Sequence, residues 1–385
     1  MVNRLISSPI LNSKKSILLL GPRQAGKSTL IQSLNPDLTI QLADQMEFFT
    51  FSANPNELRT RIETENPRTV FIDEVQRLPG ILNTVQSLLD TPQAKKRGLK
   101  FYLTGSSARK LKRGGANLLP GRVLNFHLGP LVSSEIKYHA DTDKLLSKGG
   151  LPEVYLEKDE KLSQHLLRSY VSNYIQEEIK AEALVRNLEA FTRFTQVAIQ
   201  QAGLFIDYSK MAKQAKVSRH SLDRFYEIFE DTLIGQRVWP FEPCLEKADL
   251  IKHPKFYLFD NGVFNAVMGN FKVSPDRLGI LAEQLIFTQI LHSSWASLKD
   301  VKISTFRTRG GLEVDFIVEL DGIVFGIEVK GSSDIQDHDA RSLVQFKDYY
   351  PKCQETWVLH MGSKSRKIGN VWAHPWQVGL QKMGI

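Results

Sequence analysis

Hydrophobic and polar positions follow two rhythms along this chain, and the rhythm changes from one region to the next. In residues 1–134, short apolar runs alternate with stretches whose apolar residues recur every three or four positions. Ser16–Leu20 is one such run, 69–73 a second and 99–103 a third. Each has the length of a strand buried on both faces, whereas 29–34 carries the helical period. Alternation of strand and helix predicts a parallel α/β sheet.

From 135 to 183 the pattern is helical. Leu162, Leu166, Tyr170, Tyr174 and Ile175 recur at helical spacing, and Gly149-Gly150-Leu151-Pro152 breaks the region. Residues 184–246 read as a second helical module. Beyond 247 the period drops to two: 312–320 alternates, Asp321-Gly322 signals a tight hairpin, and Ile323–Lys330 alternates again.

Chemistry first enters between the opening run and the helix after it. Gly21-Pro22-Arg23-Gln24-Ala25-Gly26-Lys27-Ser28 satisfies G-x-x-x-x-G-K-[ST], the phosphate-binding loop of ATP-binding proteins, and Thr29 opens the helix. Glycines let the backbone wrap a phosphate chain, and the helix N-terminus adds a partial positive charge. Lys27 would reach the β/γ-phosphates and Ser28 would ligate Mg²⁺. The run 69–74 ends in Asp73 and Glu74, the form of a Walker B strand. Asp73 would hold Mg²⁺, and Glu74 would orient the attacking water. The run 99–107 ends in small hydroxyl residues, so Thr104 or Ser106 would lie near the γ-phosphate.

Residues 208–225 divide into two helical stretches about Lys216-Val217, the pattern of a helix-turn-helix. Ser218 is placed to cap the second helix. Leu222, Phe225 and Phe229 form its apolar stripe, which leaves Arg219, His220, Asp223 and Arg224 outward, with Lys210, Lys213 and Lys216 nearby. Residues 233–239 read as the hairpin of a winged helix. A DNA reader of this kind sets its second helix in the major groove, and the DNA-contacting candidates are Lys216, Arg219, His220 and Arg224.

In the C-terminal hairpin, Glu328 and Lys330 are two apart and share a face, and Asp315 on the antiparallel neighbour shares it too. Asp315 and Glu328 interrupt otherwise apolar strands. Their oxygens suit Mg²⁺ or Mn²⁺, and Lys330 would position a water or stabilise a pentavalent phosphorus. Such an arrangement would be consistent with phosphodiester hydrolysis, as the nuclease resemblance given below implies.

The order Walker A, Walker B, polar sensor resembles the AAA+ ATPases. Those enzymes often complete their site with an arginine from a neighbouring subunit, so the resemblance is compatible with a homo-oligomer and leaves its size open. Arg109, Arg113 and Arg122 follow the sensor strand, and 119–122 resembles an L-x-G-R signature of one prokaryotic subfamily. The same subfamily carries G-G-[FL]-P after its core, which implies that 149–152 belongs to a helical lid. The acid followed by E-x-K resembles the PD-(D/E)XK nuclease superfamily, whose core is a helix, such a hairpin, a further helix and a strand. That resemblance implies that Glu283 supplies another acid, that 341–349 is the further helix and that 355–360 is the strand. As a whole the chain resembles a family of prokaryotic ATPases with an uncharacterised domain after the core, to which 256–262 is also similar.

The expected fold is therefore α/β: a P-loop AAA+ core over 1–134, a helical lid over 135–183, a winged helix over 184–246 and a restriction-endonuclease-like α/β domain over 247–385. Composition narrows the setting. The 385 residues carry a formal net charge of +8, which favours a polyanionic partner, here DNA. Two cysteines, Cys244 and Cys353, give neither a disulfide framework nor a zinc site, and no signal peptide or membrane span is visible, so a cytoplasmic protein is expected. Two functions fit these features: an ATP-hydrolysing protein with a metal-dependent nuclease domain, or a nucleotide-controlled switch whose nuclease-like domain grips DNA or a partner without cutting.

Overall fold

A computed structural model describes residues 2–106, 119–175, 188–244 and 249–385, without the side chains of 174, 175, 188 and 244. Arg109 and Arg113 lie outside the described residues, as do the side chains of Tyr174 and Ile175. The chain forms two compact units. The first comprises Met1–Gly129 with Asp231–Leu233, and the second comprises Pro130–Glu230 with Ile234–Ile385.

The first unit is built on five parallel strands: β1 (Ser16–Leu20), β2 (Leu38–Gln41), β3 (Thr69–Asp73), β4 (Lys100–Gly105) and β5 (Val123–His127), in the order β2-β3-β4-β1-β5. Alternate residues of one strand enter two separate cores. Leu18, Leu20, Val70, Ile72 and Leu103 pack on one face, and Ile17, Leu19, Phe71 and Tyr102 on the other. Burial on both faces is why these strands are continuous apolar runs. The order places the carboxyl ends of β3, β4 and β1 side by side, and the phosphate-binding loop follows β1 into helix α1 (Lys27–Gln32). Open parallel sheets bind ligands at that edge.

Most of the helical region expected as a lid belongs to the second unit. Helices α2 (Thr142–Lys148) and α3 (Glu160–Ser169) pack on a later helix, Asn261–Met268. Next come α4 (Leu188–Gln200), α5 (Tyr208–Ala215) and α6 (Arg219–Asp231), followed by the antiparallel pair β6 (Gly235–Val238) and β7 (Lys255–Leu258). Phe191, Phe194, Phe225, Tyr226, Phe229 and Phe256 form one aromatic core beneath them.

The remaining elements are α7 (Asn261–Met268), α8 (Pro275–Ala296), β8 (Val301–Arg307), β9 (Glu313–Leu320), β10 (Ile323–Lys330), α9 (Arg341–Tyr349), β11 (Glu355–His360), β12 (Arg366–Ile368) and β13 (Val371–Pro375). The six strands form a mixed sheet in the order β12-β13-β11-β10-β9-β8. β8, β9 and β10 are an antiparallel meander, and β11 returns parallel to β10 after α9. Asp321 and Gly322 both have positive φ, 50° and 82°, as the tightest hairpin loops require. Reciprocal backbone bonds between Trp239, Thr305 and Phe241 tie the chain after β6 to β8.

Candidate functional site

The phosphate-binding loop owes its shape to its backbone. Gln24 and Gly26 have φ of 60° and 93°. Gly21 approaches Leu128 so closely that a Cβ would stand 2.1 Å from the Leu128 carbonyl oxygen, so only glycine fits. Pro22 and Ala25 are buried, Arg23 and Gln24 half-buried, and Thr29 exposed on the first turn of α1. Lys27 is only 4% exposed, and its ammonium donates to the carbonyls of Gly21 (2.9 Å) and Pro22 (3.0 Å). Ser28 Oγ donates to both carboxylate oxygens of Asp73, at 2.9 and 2.8 Å, and Thr104 Oγ1 donates to the same carboxylate. A lysine ammonium, a hydroxyl and a carboxylate thus meet at the mouth of a glycine-shaped loop. This donor set fits a magnesium nucleotide, held by Lys27, Ser28 and Asp73.

Glu74 follows in a left-handed conformation, φ 57° and ψ 47°. Its amide donates to Thr104 Oγ1 at 3.3 Å, and its carboxylate accepts from the Gln76 side-chain amide. The same amide nitrogen reaches Ser106 Oγ at 2.9 Å. Arg122 lies away from the loop of its own chain. It precedes β5, whose first residue lies opposite Ser16 at the amino end of β1, whereas the loop leaves the carboxyl end. Five residues of strand, about 15 Å, separate it from the loop of its own chain. Its guanidinium instead forms a forked pair with Asp90, at 2.8 and 2.9 Å.

In the helical module, Lys216 ends α5 in the left-handed region with φ 53°, and Ser218 Oγ accepts the Ser221 amide at 3.1 Å as the cap of α6. Lys216, Arg219 and His220 are exposed at this turn, and Arg224 is half-buried. Arg219 lies over the Tyr208 ring at 5.3 Å. Asp223 is turned toward Arg237, a buried cation that also holds Glu230.

At the C-terminal sheet the structure brings Asp315, Glu328, Lys330 and Glu283 together. The β9–β10 ladder ends at Phe316 and Ile327, and beyond it the Asp315 carboxylate takes the Val329 amide at 2.8 Å. Burial, then the charges of Glu283 and Glu328, push the Asp315 carboxyl well above its ordinary range, with Lys255 and the Val329 amide pulling the other way. Glu328 accepts from Lys330 and from Ser342, each at 3.0 Å, and burial still raises its pKa. Glu283 stands beside Asp315 but is occupied. Lys255 Nζ reaches it at 2.9 Å, and the Tyr257 hydroxyl donates to the same oxygen. Lys255 also pairs with Glu313 at 2.8 Å. Among the described residues, no group of three or more His, Cys, Asp or Glu side chains is disposed to hold a metal ion. Asp315 and Glu328, the expected Mg²⁺ or Mn²⁺ ligands, form no such group, and each accepts from a protein donor.

Three stretches of the chain match known families. Residues 13–137 match the AAA domain, 139–274 a domain of unknown function, DUF8612, and 278–378 another, DUF4143. The amino-terminal unit is an ATP-binding domain of the AAA+ class. The chain is 26% identical over 326 residues to the uncharacterized protein Rv2008c of Mycobacterium tuberculosis, covering 82% of this chain and 70% of that one. It is 23% identical over 348 residues to the uncharacterized protein MJ1544 of Methanocaldococcus jannaschii, covering 82% and 75%. Among solved structures, AMPPCP-bound DnaA from Aquifex aeolicus is 14% identical, covering 58% of this chain and 82% of that one, with a TM-score of 0.28. Domain III of DnaA from Thermotoga maritima is 13% identical, covering 44% and 82%, with a TM-score of 0.26. Overlaps that low bear on neither fold nor function.

In the AAA+ unit, sequence reasoning missed Gln76 and Arg4. Arg4 is 8% exposed and donates to the carbonyls of Ala25 and Gly129, each at 2.7 Å, which props the phosphate-binding loop from below. In the second unit it missed Lys255, Tyr257 and Glu313. No local motif marks these residues; Glu313 alone carried a signal, two positions from Asp315 on the same strand face. Among the described residues, no helix is long and apolar enough to cross a membrane.

Proposed function

We propose that this protein hydrolyses ATP in its AAA+ unit and grips DNA with its second unit. The observation that carries the first half is the convergence of Ser28, Thr104 and Asp73 beside Lys27. Mg²⁺ neutralises charge on the phosphates when bound, and Ser28 and Asp73 are the residues that would hold it. Lys27 leaves its two loop carbonyls to meet a phosphate. Glu74 accepts a proton from the attacking water, Gln76 fixes its direction, and Thr104 links β4 to the Asp73 carboxylate and the Glu74 amide. ATP hydrolysis by the purified protein tests this reading. Turnover lost in Lys27→Ala, with binding kept and turnover lost in Glu74→Gln, is the expected result; unchanged turnover in both overturns it.

The second half rests on the exposed cations Lys216, Arg219 and His220 at the turn of a capped helix pair, followed by an antiparallel strand pair as in a winged helix. The order helix, three-stranded meander, helix, parallel strand further supports reading the C-terminal sheet as restriction-endonuclease-like. Within that reading, binding is favoured over cutting, since among the described residues no group of three or more His, Cys, Asp or Glu side chains is disposed to hold a metal ion. Incubation with plasmid and branched DNA in Mg²⁺ or Mn²⁺ tests this choice. Intact DNA, retained on the protein at low salt, is expected. Cleavage lost in Asp315→Ala would establish the nuclease instead.

A further inference from the structure

Lys255 is 3% exposed, yet it stands among carboxylates rather than in an apolar core. Its ammonium is 2.9 Å from Glu283 and 2.8 Å from Glu313, and it is close enough to Asp315 to act on its charge. The ring of Phe205 covers it at 5.1 Å. Tyr257, two residues along the same strand, donates to Glu283, and Arg307 faces the other oxygen of Glu313 at 3.4 Å. Across the cluster Lys330 and Ser342 hold Glu328. Burial favours the neutral amine, but Glu283, Asp315 and Glu313 outweigh it and hold Lys255 protonated above its ordinary range. A lysine with this cover and these partners is a fixed +1 charge in an acidic site.

We infer that Lys255 is the resident cation of the Glu283–Glu313–Asp315 cluster, and that its presence there excludes a divalent ion. The inference deepens the binding-only reading of the C-terminal sheet and stands apart from the ATPase reading. Lys255 and a divalent ion at the same oxygens repel each other strongly, because a partly buried site screens charge poorly. The lysine is carried on β7, paired with β6 directly after the helix-turn-helix, while the acids lie on α8 and β9.

Mn²⁺ alone is the probe, titrated without nucleotide into the full chain and followed by electron paramagnetic resonance of the free ion. The quantity read is the Mn²⁺ affinity that disappears in Asp315→Asn. Lys255→Met is expected to raise that affinity about tenfold or more over wild type. Removal of a buried cation threatens folding, so Lys255→Met combined with Glu313→Gln, which restores the charge balance, is measured in parallel. An Asp315-dependent affinity equal in wild type and in the lysine variants overturns the inference. So does the absence of Asp315-dependent binding from every folded variant lacking Lys255. A loss of ATP hydrolysis in Lys27→Ala is independent of either result.

Discussion

Glu74 leaves β3 with φ 57°, a region that a side-chain-bearing residue enters at a cost of about 1 kcal/mol. The turn is held by the Thr104 hydroxyl on its amide and by Gln76 on its carboxylate. Turnover in Glu74→Gln is expected to fall about 100-fold or more with ATP affinity kept, since only the proton acceptor is lost. Gln76→Ala removes one hydrogen bond from that acceptor. Turnover there is expected to drop about tenfold, in line with a single neutral bond. Steady-state hydrolysis beside isothermal titration of ATP separates this outcome from damage to the loop, which would weaken ATP binding as well.

Between elements, the junction of α2 and α7 turns on Asp260. Its buried carboxylate accepts from the Gly150 amide at 2.7 Å and caps α7 through Val263. Gly149 has φ 74°, and a Cβ there would lie 2.1 Å from Asp260 Oδ1. Gly149→Ala should destabilise the second unit by about 2 kcal/mol or more in urea unfolding, through the clash and the left-handed backbone together. Burial, against several backbone amides, raises the Asp260 pKa from 3.8 to about 6. The folded state thus binds this proton more tightly than the unfolded chain. Its contribution to stability grows as pH falls through about 6, and is complete below 3.8. The urea midpoint of wild type, relative to that of Asp260→Asn, should therefore rise between pH 7 and pH 5. An unchanged difference would show that the carboxylate titrates at its ordinary value.

For the whole molecule, a net charge of +8 and an exposed cationic turn point to binding governed by counterion release. The logarithm of DNA affinity should fall linearly with the logarithm of salt concentration in fluorescence anisotropy. Lys216→Ala with Arg219→Ala should shallow that slope by about two units, one for each phosphate contact. An unchanged slope would move the DNA contact elsewhere on the protein. The family matches divide the second unit at 274–278, yet Lys255 lies on one side of that division and Glu283 and Glu313 on the other. These two segments belong to one compact unit, and the ion pairs of Lys255 cross between them.

The sequence by itself determined the features that are contiguous in the chain. Gly21 to Ser28 carried the loop, apolar runs carried β1, β3 and β4, and Asp321-Gly322 carried the hairpin, whose two positive φ values few other residue pairs supply. The turn at Lys216 and the cap at Ser218 were legible for the same reason: each is a local backbone requirement met by the residue present. Only the tertiary structure decided what depends on a distant partner. It set Arg4 under Ala25, held Gly150 on Asp260, and drew Arg122 to Asp90 at the edge of the sheet away from the nucleotide loop. It also delivered Lys255 to acids 28 and 58 positions further on, at Glu283 and Glu313. Periodicity reports which face of an element is buried, because burial of apolar area has no direction. A charge's partner is fixed by the positions of individual atoms, and those exist only once the sheet has closed.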